Sequence, residues 1–100
     1  MDPGEALLHA LLASAPDAAG AGLVAMTSVA WASATFVGAR HTIRLAVADH
    51  GALAGWLADL PEAPLPLRGH LLVDAVVRSV ERREAAADVV IEALTIEDVR

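Results

Sequence analysis

The sequence contains no cysteine, lysine, tyrosine, asparagine or glutamine, and its aromatic residues are two tryptophans and one phenylalanine. Without cysteine the chain has no disulfide framework, thiol nucleophile or thiolate metal site. Without lysine and tyrosine it has no Schiff-base or phosphate-loop lysine and no tyrosine acid–base chemistry. The chemistry of the chain therefore rests on serine, threonine, histidine, aspartate, glutamate and arginine.

Positive charge is also scarce, since seven arginines face thirteen acidic residues and give a formal net charge of −6. Nucleic-acid binding depends on clustered basic side chains that neutralise phosphates, so this acidic chain is not predicted to bind nucleic acid. The 100 residues predict a single domain, 1–100. A chain of this length buries about two-thirds of its unfolded surface.

A membrane-spanning segment is considered because residues 18–39 carry no formal charge and 56% of the chain is hydrophobic. That stretch is mostly alanine, glycine, serine and threonine, whereas insertion depends on large apolar side chains. The first five residues, MDPGE, are acidic and lack the positive region of a secretory signal. The sequence predicts a cytoplasmic protein with no membrane contact.

Two helices are predicted from capping residues and apolar spacing. Asp2 is a candidate N-cap, Pro3 suits a first turn, and Pro16 ends the first helix. Asp49 is the second candidate N-cap, and Pro61 ends the second helix. The apolar stripes of the two helices are Leu7, Leu8, Leu11, Leu12 and Ala15, then Leu53, Trp56, Leu57 and Leu60.

Alternation with a period of two predicts strands in the rest of the chain. It appears around Trp31 and again over residues 42–47, and Val37–Arg40 is predicted to form the turn between them. The last third fits either one long helix or two strands. Because valine and isoleucine dominate it and a charged cluster, residues 81–84, divides it, we predict strands over about 70–80 and 87–97.

The resulting order, α-β-β-α-β-β, predicts an α+β fold. Four antiparallel strands with two helices on one face form a two-layer sandwich. The same layout results when the first strand of a ferredoxin-like fold is moved to the end, which is an analogy of topology and implies no function.

Strand alternation predicts the composition of each sheet face. The face toward the helices is predicted to hold Ile43, Leu45, Val47, Leu71, Val73, Val77, Val89 and Ile91. The opposite face is predicted to hold Trp31, Ser33, Thr35, Thr42, Arg44, His70, Leu72, Asp74, Val76, Arg78, Val90, Glu92, Leu94 and Ile96. This half-polar face indicates a covering partner, because large exposed apolar patches are rare on monomers.

The leading functional hypothesis is therefore a non-catalytic interaction module. It binds itself or another, unknown protein, and the favoured form is a homodimer made by packing the sheet face or by pairing edge strands. The candidate ligand or interface residues are Trp31, Arg44, His70, Asp74, Arg78 and Glu92. No catalytic motif, cofactor-binding loop or metal site is predicted.

The alternative is a small enzyme or a ligand- or metal-binding protein with a polar site at the subunit boundary. His70, Asp74 and Glu92 are the acid–base types that such a site uses. The simpler interpretation is an ion-pair network of Asp74 and Glu92 with the arginines, because half-buried charges are normally paired.

The hydroxyls and the remaining histidine near the first hairpin receive no catalytic role from the sequence. Ser33 and Thr35 are interpreted as strand hydroxyls, because a serine nucleophile requires a base within hydrogen-bond reach and no nucleophile-elbow motif surrounds either residue. His41 is predicted to lie in a solvated turn, with an anion-binding corner beside Arg40 as the alternative.

Three segments carry a resemblance to a known group of proteins. They are Trp31–His41 (WASATFVGARH), Arg68–Asp74 (RGHLLVD) and Ile91–Asp98 (IEALTIED). From about residue 28 to the end, the chain resembles small uncharacterised α+β proteins of high-GC alphaproteobacteria. The resemblance implies a bacterial α+β protein, and it carries over no functional residue because that group has no assigned activity.

Overall fold

A computed structural model describes residues 2–16, 20–49 and 51–98. The elements in chain order are α1 (Pro3–Ser14), β1 (Gly22–Ala32), β2 (Val37–Ala48), α2 (Leu53–Asp59), β3 (His70–Arg83) and β4 (Ala86–Glu97). A short 3₁₀ helix, Leu60–Glu62, continues α2. All strand pairs are antiparallel, in the spatial order β1-β2-β4-β3. The predicted α+β class and the predicted element order are confirmed.

Helix α1 begins where the capping residues predict. A side-chain oxygen of Asp2, Oδ2, accepts a hydrogen bond from the Glu5 backbone N–H at 3.4 Å, and Pro3 occupies the first turn. Leu7 and Leu11 are completely buried, so the predicted apolar stripe of this helix faces the core. Neither α1 nor α2, the α-helices of the described residues, is long and apolar enough to cross a membrane.

The first hairpin is confirmed, but its turn lies four residues earlier than predicted. The turn is Ser33–Phe36, where the Ser33 Oγ accepts hydrogen bonds from the backbone N–H groups of Thr35 and Phe36 at 3.3 and 3.0 Å. Val37–Arg40, the predicted turn, belongs to β2. The turn forms at this point because the Ser33 side chain accepts hydrogen bonds from these two backbone amides.

Gly38 has a packing role in β2. A Cβ atom added at Gly38 would lie 2.0 Å from the carbonyl oxygen of Thr95 in the neighbouring strand. Glycine at this position therefore permits a close approach of two strands, which explains why it is not a turn residue.

The last third of the chain forms two strands, so the alternative of one long helix is wrong. β3 and β4 are longer than predicted, and they are joined by a tight turn in which Glu84 has a positive φ of 25°.

β3 contains two irregularities that the alternation did not predict. The register with β4 shifts between Leu72 and Asp74 and again between Val77 and Ser79. Each bulge adds one residue to β3 and none to β4, so the alternation of β3 side chains between the two faces reverses at the bulge. Leu71 and Val73, which were predicted to face the helices, are in fact 44% and 54% exposed.

The core is one cluster of apolar side chains from the helices and from alternate strand positions. Its buried members are Leu7, Leu11, Ile43, Leu45, Val47, Leu53, Trp56, Leu60, Leu65, Ala75, Ala87, Val89, Ile91 and Ala93. Five of the eight residues predicted for the helix-facing side, those of β2 and β4, are therefore buried as expected. We call the sheet face that bears Ile43 and Ile91 the buried face, and the opposite one the second face.

Candidate functional site

The second face is defined by the register of the four strands. One row across the sheet is Thr27, Thr42, Glu92 and Val76, in which each residue lies opposite the next on the neighbouring strand. Directly opposed residues of antiparallel strands share a face. The main side chains of this face are Val29, Trp31, Arg40, Thr42, Arg44, Leu71, Asp74, Val76, Val90, Glu92, Leu94 and Ile96.

Four of the six predicted site residues, Trp31, Arg44, Asp74 and Glu92, lie on the second face, but they do not converge. Trp31 lies opposite Gly38, Arg44 opposite Val90, and Asp74 opposite Leu94. The fifth, Arg78, sits at the second bulge and donates a hydrogen bond from its Nε to Glu92 Oε2. Within the described ranges, neither Arg44 nor Asp74 forms an ion pair, so the predicted network is reduced to the pair of Arg78 with Glu92.

His70 is the sixth predicted site residue, and its predicted position on the second face is wrong. It lies opposite Glu97 on the buried face, because the bulge after Leu72 reverses the alternation of the residues before it. The trio of His70, Asp74 and Glu92 is thus split between two faces. In the part of the chain that the structure describes, no group of three histidine or acidic side chains is placed to hold a metal ion.

Two of the residues predicted for the opposite face as strand hydroxyls also lie elsewhere. Ser33 and Thr35 belong to the hairpin turn rather than to a strand. Leu72 lies opposite Thr95 and packs against the core, again because of the bulge that follows it.

A second polar group, centred on His41, lies on the buried face. The prediction of a solvated turn is wrong, since His41 lies in β2 and is completely buried. Its Nδ1 is 2.7 Å from the Oγ of Ser28, the residue opposite it in β1. Its Nε2 is 2.9 Å from the Oγ1 of Thr95 in β4. Both ring nitrogens are therefore satisfied, as buried polar groups require.

The hydrogen bonds around His41 have a consistent direction. The Thr95 hydroxyl donates to the backbone carbonyl of Ala39 at 3.5 Å, and its oxygen is then the acceptor for the Nε2–H of the ring. In a neutral imidazole the other nitrogen is an acceptor, so Nδ1 accepts the hydroxyl proton of Ser28. From this arrangement we infer that the proton of the neutral ring is on Nε2.

The pKa of His41 is lowered below its ordinary value of 6.5 because burial disfavours the charged ring. The negative charge of Asp2 acts in the opposite direction, and the neighbouring His70 lowers the pKa further. His41 is therefore neutral at neutral pH and can accept a proton.

A cavity of about 280 Å³, here called the polar cavity, opens beside this group. The residues of its wall that matter to its chemistry are Asp2, Ser28, Gly38, His70, Thr95 and Glu97. The first turn of α1 closes one side, since a Cβ at Gly4 would lie 3.1 Å from the Oγ of Ser28. Sequence reasoning missed Ser28 and Thr95, because only the strand register brings these two residues together with His41.

The two edge strands, β1 and β3, differ in chemical character. β1 contains no charged residue and no proline, and its side chains are mostly exposed, with Val29 at 66%. β3 contains two bulges and the charged residues Asp74, Arg78, Glu81, Arg82 and Arg83. Charges and bulges are the usual protection of an edge against pairing with another strand. β1 has neither charge nor proline, although its register with β2 shifts once, between Leu23 and Ala25.

Comparison with protein-family models, with curated proteins and with solved structures finds no match to this chain. The resemblance to small alphaproteobacterial proteins is not tested by these comparisons and stays a prediction. The features of this chain that can support a function are therefore β1, the second face and the polar cavity.

Proposed function

We propose that this chain is an interaction module that self-associates by pairing β1 with the β1 of a second copy. The observation that carries the proposal is an edge strand of eleven residues, Gly22–Ala32, without a charge or a proline. An open edge of this kind presents unpaired backbone N–H and C=O groups to another strand. The association itself requires no catalytic chemistry.

The other edge is a poor partner for such pairing. Its two bulges interrupt the regular spacing of backbone groups, and its charged side chains disfavour burial of the edge against another strand. Two of these residues are also held by ion pairs, Arg82 with Asp49 at 3.3 Å and Arg83 with Asp88 at 3.1 Å. The difference between the edges favours a closed pair of chains over an open filament, because only one edge of each copy is available.

The proposal includes the two-layer arrangement in which both helices cover one sheet face. It is supported by the single core cluster that joins α1 and α2 to the buried face, and by the hydrogen bond from Trp56 Nε1 in α2 to Ser14 Oγ in α1 at 3.0 Å. The second face then stays without a helix, and two joined copies form one continuous sheet.

Exposed apolar side chains beside the edge add to the backbone pairing. Leu23 and Val24 are 45% and 54% exposed, and Val29 is the most exposed large hydrophobic residue of the described chain. Strand pairing alone buries less than the roughly 1,600 Å² of a standard interface, so we expect a reversible, concentration-dependent dimer. The predicted cytoplasmic location and the predicted absence of nucleic-acid binding stay part of this proposal.

The test is the mass of the species in solution, measured by sedimentation equilibrium from micromolar to millimolar concentration. We expect a transition from the chain mass of 10.3 kDa to twice that mass. Thr27→Lys places a charge in the middle of β1. In an antiparallel symmetric pair centred on this residue, the two introduced charges face each other. This variant is expected to stay monomeric at concentrations at which the unmodified chain is dimeric.

The matched control is Thr42→Lys, because Thr42 lies opposite Thr27 on the second face but in a central strand. Edge pairing predicts that this variant dimerises normally. If Thr42→Lys abolishes the dimer and Thr27→Lys does not, the copies pack by their second faces and the edge proposal is wrong. A single species of 10.3 kDa at every concentration also refutes it.

A further inference from the structure

We propose that Ser28 is a nucleophile, that His41 is its general base, and that the polar cavity accepts short, uncharged or cationic acyl esters. The hydroxyl of Ser28 lies in the wall of the cavity while its oxygen is 2.7 Å from Nδ1 of a fully buried histidine. A serine hydroxyl is a weak nucleophile until an adjacent base accepts its proton. The inference is independent of self-association, because the cavity lies within one copy.

The environment of His41 suits the role of a base. The bond from Nε2–H to Thr95 holds the ring with Nδ1 free to accept the proton of Ser28. Thr95 contacts the ring nitrogen that does not face the serine, as the carboxylate of a catalytic triad does, but with Nδ1 and Nε2 exchanged. The negative charge of Asp2, which acts on His41 through space, favours the imidazolium that forms during attack.

The proposed reaction is a two-step ester hydrolysis. Ser28 Oγ attacks the ester carbonyl carbon as its proton moves to His41 Nδ1. The bond from that carbon to the leaving oxygen then breaks, and the departing alcohol takes the proton from His41. Water attacks the acyl-serine in the same way, so that one ester and one water yield one carboxylic acid and one alcohol.

The size and charge of the cavity limit the substrate. At about 280 Å³ it is at the small end of ligand pockets, so it admits a short acyl group. Asp2 and Glu97 in its wall, together with the formal net charge of −6, repel anionic esters.

The test uses 4-nitrophenyl acetate with the full chain, and follows 4-nitrophenolate release and the mass of the intact protein. Because the acyl-serine is an intermediate, we expect at most one acetyl group per chain, placed on Ser28 by peptide mapping. Ser28→Ala is expected to lose the acetylation. The matched control, Ser79→Ala, changes an exposed strand serine opposite Val90, outside the cavity, and is expected to react as the unmodified chain does.

A second variant keeps the proposal testable if removal of the serine disturbs the fold. His41→Gln retains an amide that can hydrogen-bond to Ser28 but cannot take up its proton, and it is expected to slow acylation by about 100-fold or more. A 4-nitrophenyl ester that carries a carboxylate is expected to react more slowly than the acetate. Acetylation at another residue, or equal rates for the unmodified chain and Ser28→Ala with both folded, overturns the proposal.

Discussion

The burial of His41 predicts that the fold loses stability when the solution is acidified. In the unfolded chain the histidine has its ordinary pKa of 6.5, whereas in the folded chain burial lowers that pKa. Between the two values the unfolded chain binds a proton that the folded chain does not. The free energy of unfolding therefore falls as the pH falls.

The size of the effect follows from the number of protons involved. The contribution of His41 to the free energy of unfolding is fully present above pH 6.5. It is lost as the pH falls from 6.5 toward the lowered pKa of His41 in the folded chain. In that window one group changes the free energy of unfolding by up to about 1.4 kcal/mol per pH unit. For a small domain with about 5–10 kcal/mol of net stability, one pH unit removes a substantial part of it.

The assay is urea unfolding at a series of pH values for the unmodified chain and for His41→Gln, with His9→Gln on the exposed surface of α1 as the control. The difference between the unmodified chain and His41→Gln should shrink as the pH falls below 6.5, and His9→Gln should retain the unmodified slope. A parallel NMR titration of the His41 ring needs no variant. A ring that titrates at or above its ordinary value, or an unchanged slope in His41→Gln, refutes the reasoning.

Two further predictions concern glycine packing and an unpaired donor. Gly38→Ala is expected to lower the free energy of unfolding by about 1–3 kcal/mol in urea unfolding, because its Cβ would overlap the Thr95 carbonyl. Gly55→Ala is the control, since Gly55 lies in helix α2 with open space around it, and it should raise the free energy of unfolding by about 0.5–1 kcal/mol. Equal effects of the two substitutions would contradict the proposed packing role of Gly38. The indole Nε1 of Trp31 is buried without a hydrogen-bond partner among the described residues. Trp31→Phe removes that donor, so the thermal midpoint of the variant should stay within a few degrees of the unmodified value. A loss of more than about 3 kcal/mol in the free energy of unfolding would show that the indole makes a stabilising contact beyond those described.

Much of the local structure could be predicted from the sequence because short-range chemistry decides it. Asp2 and Pro3 define the start of α1 through capping and a restricted φ, and both act within one helical turn. The alternation over residues 42–47 correctly placed Ile43 and Leu45 in the core. The hairpin turn was misplaced because the glycine at position 38 has a packing role between strands, which no local pattern shows.

The sequence by itself determined the kinds of element, their order and the uncharged character of β1. Only the tertiary structure decided which side chains meet. The bulge after Leu72 moved His70 from the predicted polar face to the polar cavity, and the strand register joined Ser28, His41 and Thr95 across three strands. The physical reason is that one added residue reverses a period of two, and that contacts between distant strands depend on register, which local periodicity does not encode.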